Sequence, residues 1–62
     1  MFAIKEYYDE EKNYIGSTMC FEKNEAISLA VKIKKSGSPY VCIYEIEFDE
    51  KGKVYEEFIL GL

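Results

Sequence analysis

The sequence predicts an α+β fold of order β-β-α-β-β, in which a four-stranded, mainly antiparallel sheet carries one helix packed on one face. Apolar segments of strand length lie before residue 22, where Phe2, Ile4 and Tyr8 recur at period two, and after residue 39, and the segment between them has helical periodicity. A polar turn separates the strands of each pair. No linker or change of composition divides the 62 residues, so we expect a single domain, residues 1–62.

The first pair of strands is predicted at residues 2–8 and 14–21, with the polar loop 9–13 between them. A four-residue loop places Ile4 opposite Met19 and Phe2 opposite Phe21. This register collects the large apolar side chains on one face, whereas a slip of one residue scatters them over both.

A helix is predicted at residues 24–36. Asn24 is a suitable N-cap, and Glu22 followed by Glu25 is a competing start. Gly37 fits the C′ position, and Pro39 prevents continuation of the helix. The helix has a broad apolar arc made of Ala26, Ile27, Leu29, Ala30, Val31 and Ile33.

The second pair of strands is predicted at residues 40–48 and 54–60. The loop between them ends in Gly52-Lys53, and Gly52 suits the left-handed position of a type I turn with a bulge. We expect the strand order 2-1-3-4, because a right-handed crossover from the second strand passes over the first to reach the third. The loop predicts three apolar pairs across the strands: Phe48 with Val54, Tyr44 with Phe58, and Cys42 with Leu60.

One helix can cover only one face of such a sheet. The face that we expect beneath the helix holds Phe2, Ile4, Tyr8, Ile15, Met19, Phe21, Cys42, Tyr44, Ile46, Phe48, Val54, Phe58 and Leu60, with Glu56 as a misfit. The other face combines an apolar end, tyrosines and an acidic end, which is typical of an interface, although tyrosines also simply favour strands. We therefore predict that a partner binds Tyr7, Tyr14, Val41, Ile43, Glu45, Glu47, Tyr55, Glu57 and Ile59.

The composition argues against catalysis. The chain has no histidine or arginine, and therefore no imidazole for proton transfer or metal binding and no guanidinium group for phosphate. Cys20 and Cys42 are expected to be free thiols on opposite faces of the sheet, with no histidine to activate them. The sequence predicts a protein that is not an enzyme and has no metal or cofactor.

Location in the cell follows from hydropathy. No apolar run approaches the roughly 20 residues that span a bilayer. The first eight residues include Lys5 and Glu6 and do not form the apolar region of a signal peptide, so we expect a cytoplasmic protein that does not contact membranes.

The net charge of −4 predicts the class of partner. We expect a non-catalytic protein-binding module, either a homodimer or a module for a basic partner that handles nucleic acid, because glutamates complement a basic groove. In size and acidity the chain is similar to small inhibitors encoded by phages and mobile elements, anti-CRISPR proteins among them. Direct nucleic-acid binding is disfavoured by charge. One alternative is a nucleic-acid-binding regulator, which would contact phosphates through Lys32, Lys34, Lys35, Lys51 and Lys53. A second alternative is a purely structural homo-oligomer.

Overall fold

The computed structural model describes residues 1–8 and 14–62, so the predicted loop 9–13 lies outside the described residues. The elements are β1 (Phe2–Tyr7), β2 (Tyr14–Cys20), α1 (Lys23–Lys35), β3 (Tyr40–Phe48) and β4 (Val54–Gly61). The strands form one antiparallel sheet in the order β2-β1-β3-β4. The helix packs against β1, β2 and β3. The predicted fold class and strand order are both confirmed.

A local sequence signal accounts for the C-terminal end of the helix, but not for its start. Glu22 occupies the N-cap position with extended backbone and makes no side-chain capping bond, so the competing start is correct and Asn24 lies inside the helix. At the other end, Gly37 has a φ of +114°, as its predicted C′ position requires. The amide of Ser38 donates to the carbonyl of Ile33, and the amide of Gly37 donates to that of Lys34, which completes a Schellman motif.

The hairpin of β3 and β4 has the predicted turn. The Asp49 amide donates to the Lys53 carbonyl at 3.0 Å, and Gly52 has a φ of +80°. The Asp49 carboxylate also accepts bonds from the amides of Lys51 and Lys53, each at 2.8 Å. The turn therefore satisfies its own backbone donors, and it sets the predicted pairs of Phe48 with Val54 and Tyr44 with Phe58.

The core lies between the helix and the sheet. Ile4, Val41 and Ile43 are fully buried there, beneath Ala26 and Ala30 of the helix. Burying one large aliphatic side chain contributes about 1.5–3 kcal/mol, so these three residues are central to the stability of a small domain. The two alanines present only methyl groups to the sheet, so the helix can approach it closely.

The register of the first hairpin differs from the prediction by one residue. Phe2 lies opposite Cys20, and Met19 lies opposite Ala3 instead of Ile4. As a result Phe21, predicted to be in the core, is 82% exposed. The small Cys20 packs beside Phe2 in the layer under the helix. A bulge at the Glu6–Tyr7 step also shifts the pairing within the hairpin, and the neighbouring Gly16 is its local signal, because an isolated glycine in a strand often marks a bulge.

The face of β3 and β4 that lies under the helix is the reverse of the predicted one. Ile43 pairs with Ile4 across β1 and β3, so Val41 and Ile43 face the helix. Tyr44, Phe48 and Phe58 of the hairpin consequently lie on the other side. The physical reason is the β1–β3 register, a contact between distant segments that neither hairpin turn specifies. Compact branched side chains also suit a helix that lies close to the sheet better than aromatic rings do.

The third predicted pair, Cys42 with Leu60, is not formed, because β4 contains a bulge. Ile43 pairs with Leu60 and Tyr44 with Phe58, so Ile59 is the extra residue. Cys42 therefore lies opposite Gly61 instead of Leu60. Both Ile59 and Leu60 pack against the core. The predicted state of the cysteines is confirmed: both are free, Cys20 on the helix side and Cys42 on the other.

Candidate protein-interaction surface

The face of the sheet opposite the helix, which we call the open face, exposes large apolar side chains. Phe48 is 61% exposed, Phe58 57%, Val54 52% and Met19 49%. No helix or strand of the described residues covers them. By strand register the open face comprises Ala3, Lys5, Tyr7, Ser17, Met19, Cys42, Tyr44, Ile46, Phe48, Val54, Glu56 and Phe58.

The centre of the open face is well packed. Ala3, Tyr7 and Ile46 are buried although no helix among residues 1–8 and 14–62 lies over them. Tyr44 and Phe58 meet edge to face, with ring centroids 5.8 Å apart and an interplanar angle of 73°. Such aromatic contacts hold rings in one orientation. The exposed side chains therefore stand on a rigid base, which lowers the entropy lost when a partner binds.

The open face is electrically neutral by strand register. Its two charged residues, Lys5 and Glu56, form an ion pair with 2.7 Å between the ammonium nitrogen and a carboxylate oxygen. The Lys5 ammonium also lies 4.9 Å from the centre of the Tyr44 ring. This pair explains how a glutamate is accommodated opposite Ile46 in an otherwise apolar region.

Tyr7 is a buried residue in the packed centre of the open face. It is 8% exposed. Burial raises the pKa of Tyr7 to about 12, and a side-chain hydrogen bond with Tyr44 contributes in the same direction. The phenol therefore stays protonated throughout the physiological range. Its place is structural, within the packed centre of the face.

The predicted acidic residues do lie together, on the other face of the sheet. Glu45 lies opposite Glu57, and Glu47 lies opposite Tyr55, which is 49% exposed. We call these four residues the acidic cluster. The Lys53 ammonium lies 5.4 Å from the centre of the Tyr55 ring. The cluster follows from the hairpin register, which the turn sequence already predicts.

The remaining predicted partner-binding residues are separated from this cluster. Val41 and Ile43 are fully buried under the helix, so the prediction that they form an exposed face is wrong. Ile59 is half-buried against the core, and Tyr7 lies on the open face. Tyr14 pairs with Tyr7 in the sheet. The nine predicted residues are thus divided between two faces and the core.

Sequence reasoning missed the exposed residues of the open face because it placed them in the core. Glu56 is the signal that could have found them, because a glutamate in the middle of a face predicted to be buried argues that this face is open. Its strand neighbours Val54 and Phe58 share its face by alternation.

Lys34, one of three lysines in the last turn of the helix, takes part in local contacts. Lys34 donates a hydrogen bond to the carbonyl of Pro39, and its ammonium lies 5.7 Å from the centre of the Tyr40 ring. Lysines in the last turn also suit the helix dipole. These contacts explain the position of the Lys34 ammonium without a nucleic-acid ligand.

No family model, curated protein or solved structure matches this chain. The described residues form no pocket and bring no three potential ligands together for a metal ion. Among them, no helix has the length and apolar character to cross a bilayer.

Proposed function

We propose that this protein is a non-catalytic protein-binding module whose binding surface is the open face. The observation that carries the proposal is the exposure of Phe48, Val54, Phe58 and Met19 on one side of a rigid sheet. Exposed apolar groups that are clustered on one face favour association, because contact removes them from water. Phenylalanine and methionine are also enriched in protein interfaces.

The chemistry of the face favours a protein ligand over a nucleic acid. Aromatic side chains can stack on bases, but affinity for a nucleic-acid backbone needs excess positive charge. On the open face Lys5 is matched by Glu56 at 2.7 Å, and the whole chain carries a charge of −4. An inhibitor or modulator of a basic nucleic-acid-handling protein, encoded by a mobile element, is a second form of protein binding; it would draw on the net charge of −4 instead of on the neutral open face.

Site-specific photo-crosslinking tests the proposal. A benzophenone amino acid replaces Phe58 on the open face in one variant, and Tyr55 in the acidic cluster in the other. The two positions are closely matched, since both are aromatic, both lie on β4, and they are 57% and 49% exposed. We expect protein crosslinks in the native host from position 58, unchanged by nuclease treatment, and few from position 55.

The reverse result would assign binding to the acidic cluster and contradict the proposal. Equal, weak labelling at both positions would also count against a dedicated open-face interface. Crosslinked nucleic acid that disappears in a Lys32→Glu/Lys35→Glu variant would favour the alternative regulator.

A further inference from the structure

We infer that the occupant of the open face is a second copy of this chain, so that two sheets pack face to face with the helices outside. The inference rests on the proposed function, because it names the partner that the open face binds.

The area of the open face suits a stable dimer. The molecule measures 38 × 25 × 15 Å along its principal axes, and its thin dimension fits one helix layer on one sheet layer. The two longer extents of the molecule limit the projected area of this face to about 950 Å², so a standard interface of roughly 800 Å² per partner would use most of it. An interface over most of this face would reach that size without help from the helix.

The charge distribution permits self-association on this side. A chain with a net charge of −4 repels its copies, and this repulsion is strongest where acidic surfaces meet. The open face has no net charge, since Lys5 and Glu56 neutralise each other within one molecule. Two copies can therefore meet there without opposing like charges.

The acidic cluster would stay away from the interface in this dimer. Glu45, Glu47 and Glu57 lie on the helix side of the sheet, and in a face-to-face arrangement the helix sides point outward. The acidic clusters of the two copies would then be separated by both sheets. Helix-side contact would instead bring these carboxylates towards their counterparts, at a cost from like-charge repulsion.

Two-fold symmetry doubles the apolar gain. In an isologous interface each residue occurs twice. The interface would therefore contain eight large side chains, two copies each of Phe48, Val54, Phe58 and Met19. Packed antiparallel sheets bury side chains of both inner faces in a layer about 10 Å thick. The exposed aromatic groups are long enough to fill such a layer, and the packed centre provides its floor.

Sedimentation velocity of the full chain, from micromolar to near-millimolar concentration, tests the inference. We expect reversible dimers of the wild type, and a dissociation constant at least about 100-fold weaker for Phe58→Asp, because an aromatic anchor is lost from both sides. Tyr55→Asp, on the same strand but in the acidic cluster, should dimerise with near wild-type affinity. Circular dichroism verifies that each variant is folded, and Val54→Asp replaces Phe58→Asp if the latter does not fold.

Three results would overturn the inference. A wild type that stays monomeric throughout the range would do so, as would dimers that survive both open-face substitutions. Loss of the dimer in Tyr55→Asp alone would assign the interface to the helix side. If the monomer still crosslinks to a different protein from position 58, only the second copy is excluded. If it crosslinks to nothing, the proposed function fails as well.

Discussion

Replacing Ile43 with alanine tests which face of the β3–β4 hairpin lies under the helix. Ile43 is fully buried, and the substitution removes three carbons from the core. At about 0.8 kcal/mol per buried methylene the transfer loss is about 2.4 kcal/mol, and the cavity left behind increases the expected cost to about 3 kcal/mol.

Phe21→Ala is the control for this prediction. The alternation of apolar residues places Phe21 in the core, yet it is 82% exposed in the structure. A fully buried phenylalanine costs about 3–5 kcal/mol on truncation, so a side chain with less than a fifth of its area buried should cost less than about 1 kcal/mol. The two variants should therefore differ by at least about 2 kcal/mol in the free energy of unfolding.

Urea denaturation followed by circular dichroism measures this difference. A domain of 62 residues has a stability of only about 3–9 kcal/mol, so Ile43→Ala could unfold without denaturant. Ile43→Val, with an expected loss of about 0.5–1.5 kcal/mol, keeps the measurement possible in that case. A loss for Ile43→Ala no larger than the loss for Phe21→Ala would show that Ile43 does not lie in the core and would refute the burial argument.

Three further predictions concern single groups. The pKa of Tyr7 is raised from 10.0 to about 12, so the stability it contributes should be complete below pH 10 and be lost as the pH rises towards 12; ultraviolet titration and unfolding of Tyr7→Phe check this. In dilute folded protein, iodoacetamide should modify Cys42 before the buried Cys20, and after unfolding without reductant intact mass should show both alkylated. Asp49→Ala and Gly52→Ala should each lower the free energy of unfolding by about 1 kcal/mol, which urea midpoints measure. Asp49→Ala removes two hydrogen bonds of 2.8 Å, and Gly52→Ala places a side chain at a φ of +80°, where it is strained.

The acidic cluster and the open face differ in how far the sequence could predict them. Glu47 and Tyr55 meet because one short turn sets the register of β3 and β4, and both turn and register are readable from residues 48–54. The exposure of Phe58 depends in addition on which side of the hairpin the helix covers. That choice is made by contacts between residues far apart in the chain.

By itself, the sequence determined the elements, their order and the chemistry of the second turn, because alternation, helix caps and glycine positions act within a few residues. The tertiary structure decided which face of each hairpin is buried. Both faces of β3 carry apolar side chains, so its local pattern permits either orientation. Pairing Ile4 with Ile43, under a helix that presents alanines, places the branched residues inside and leaves Tyr44, Phe48 and Phe58 on the open face.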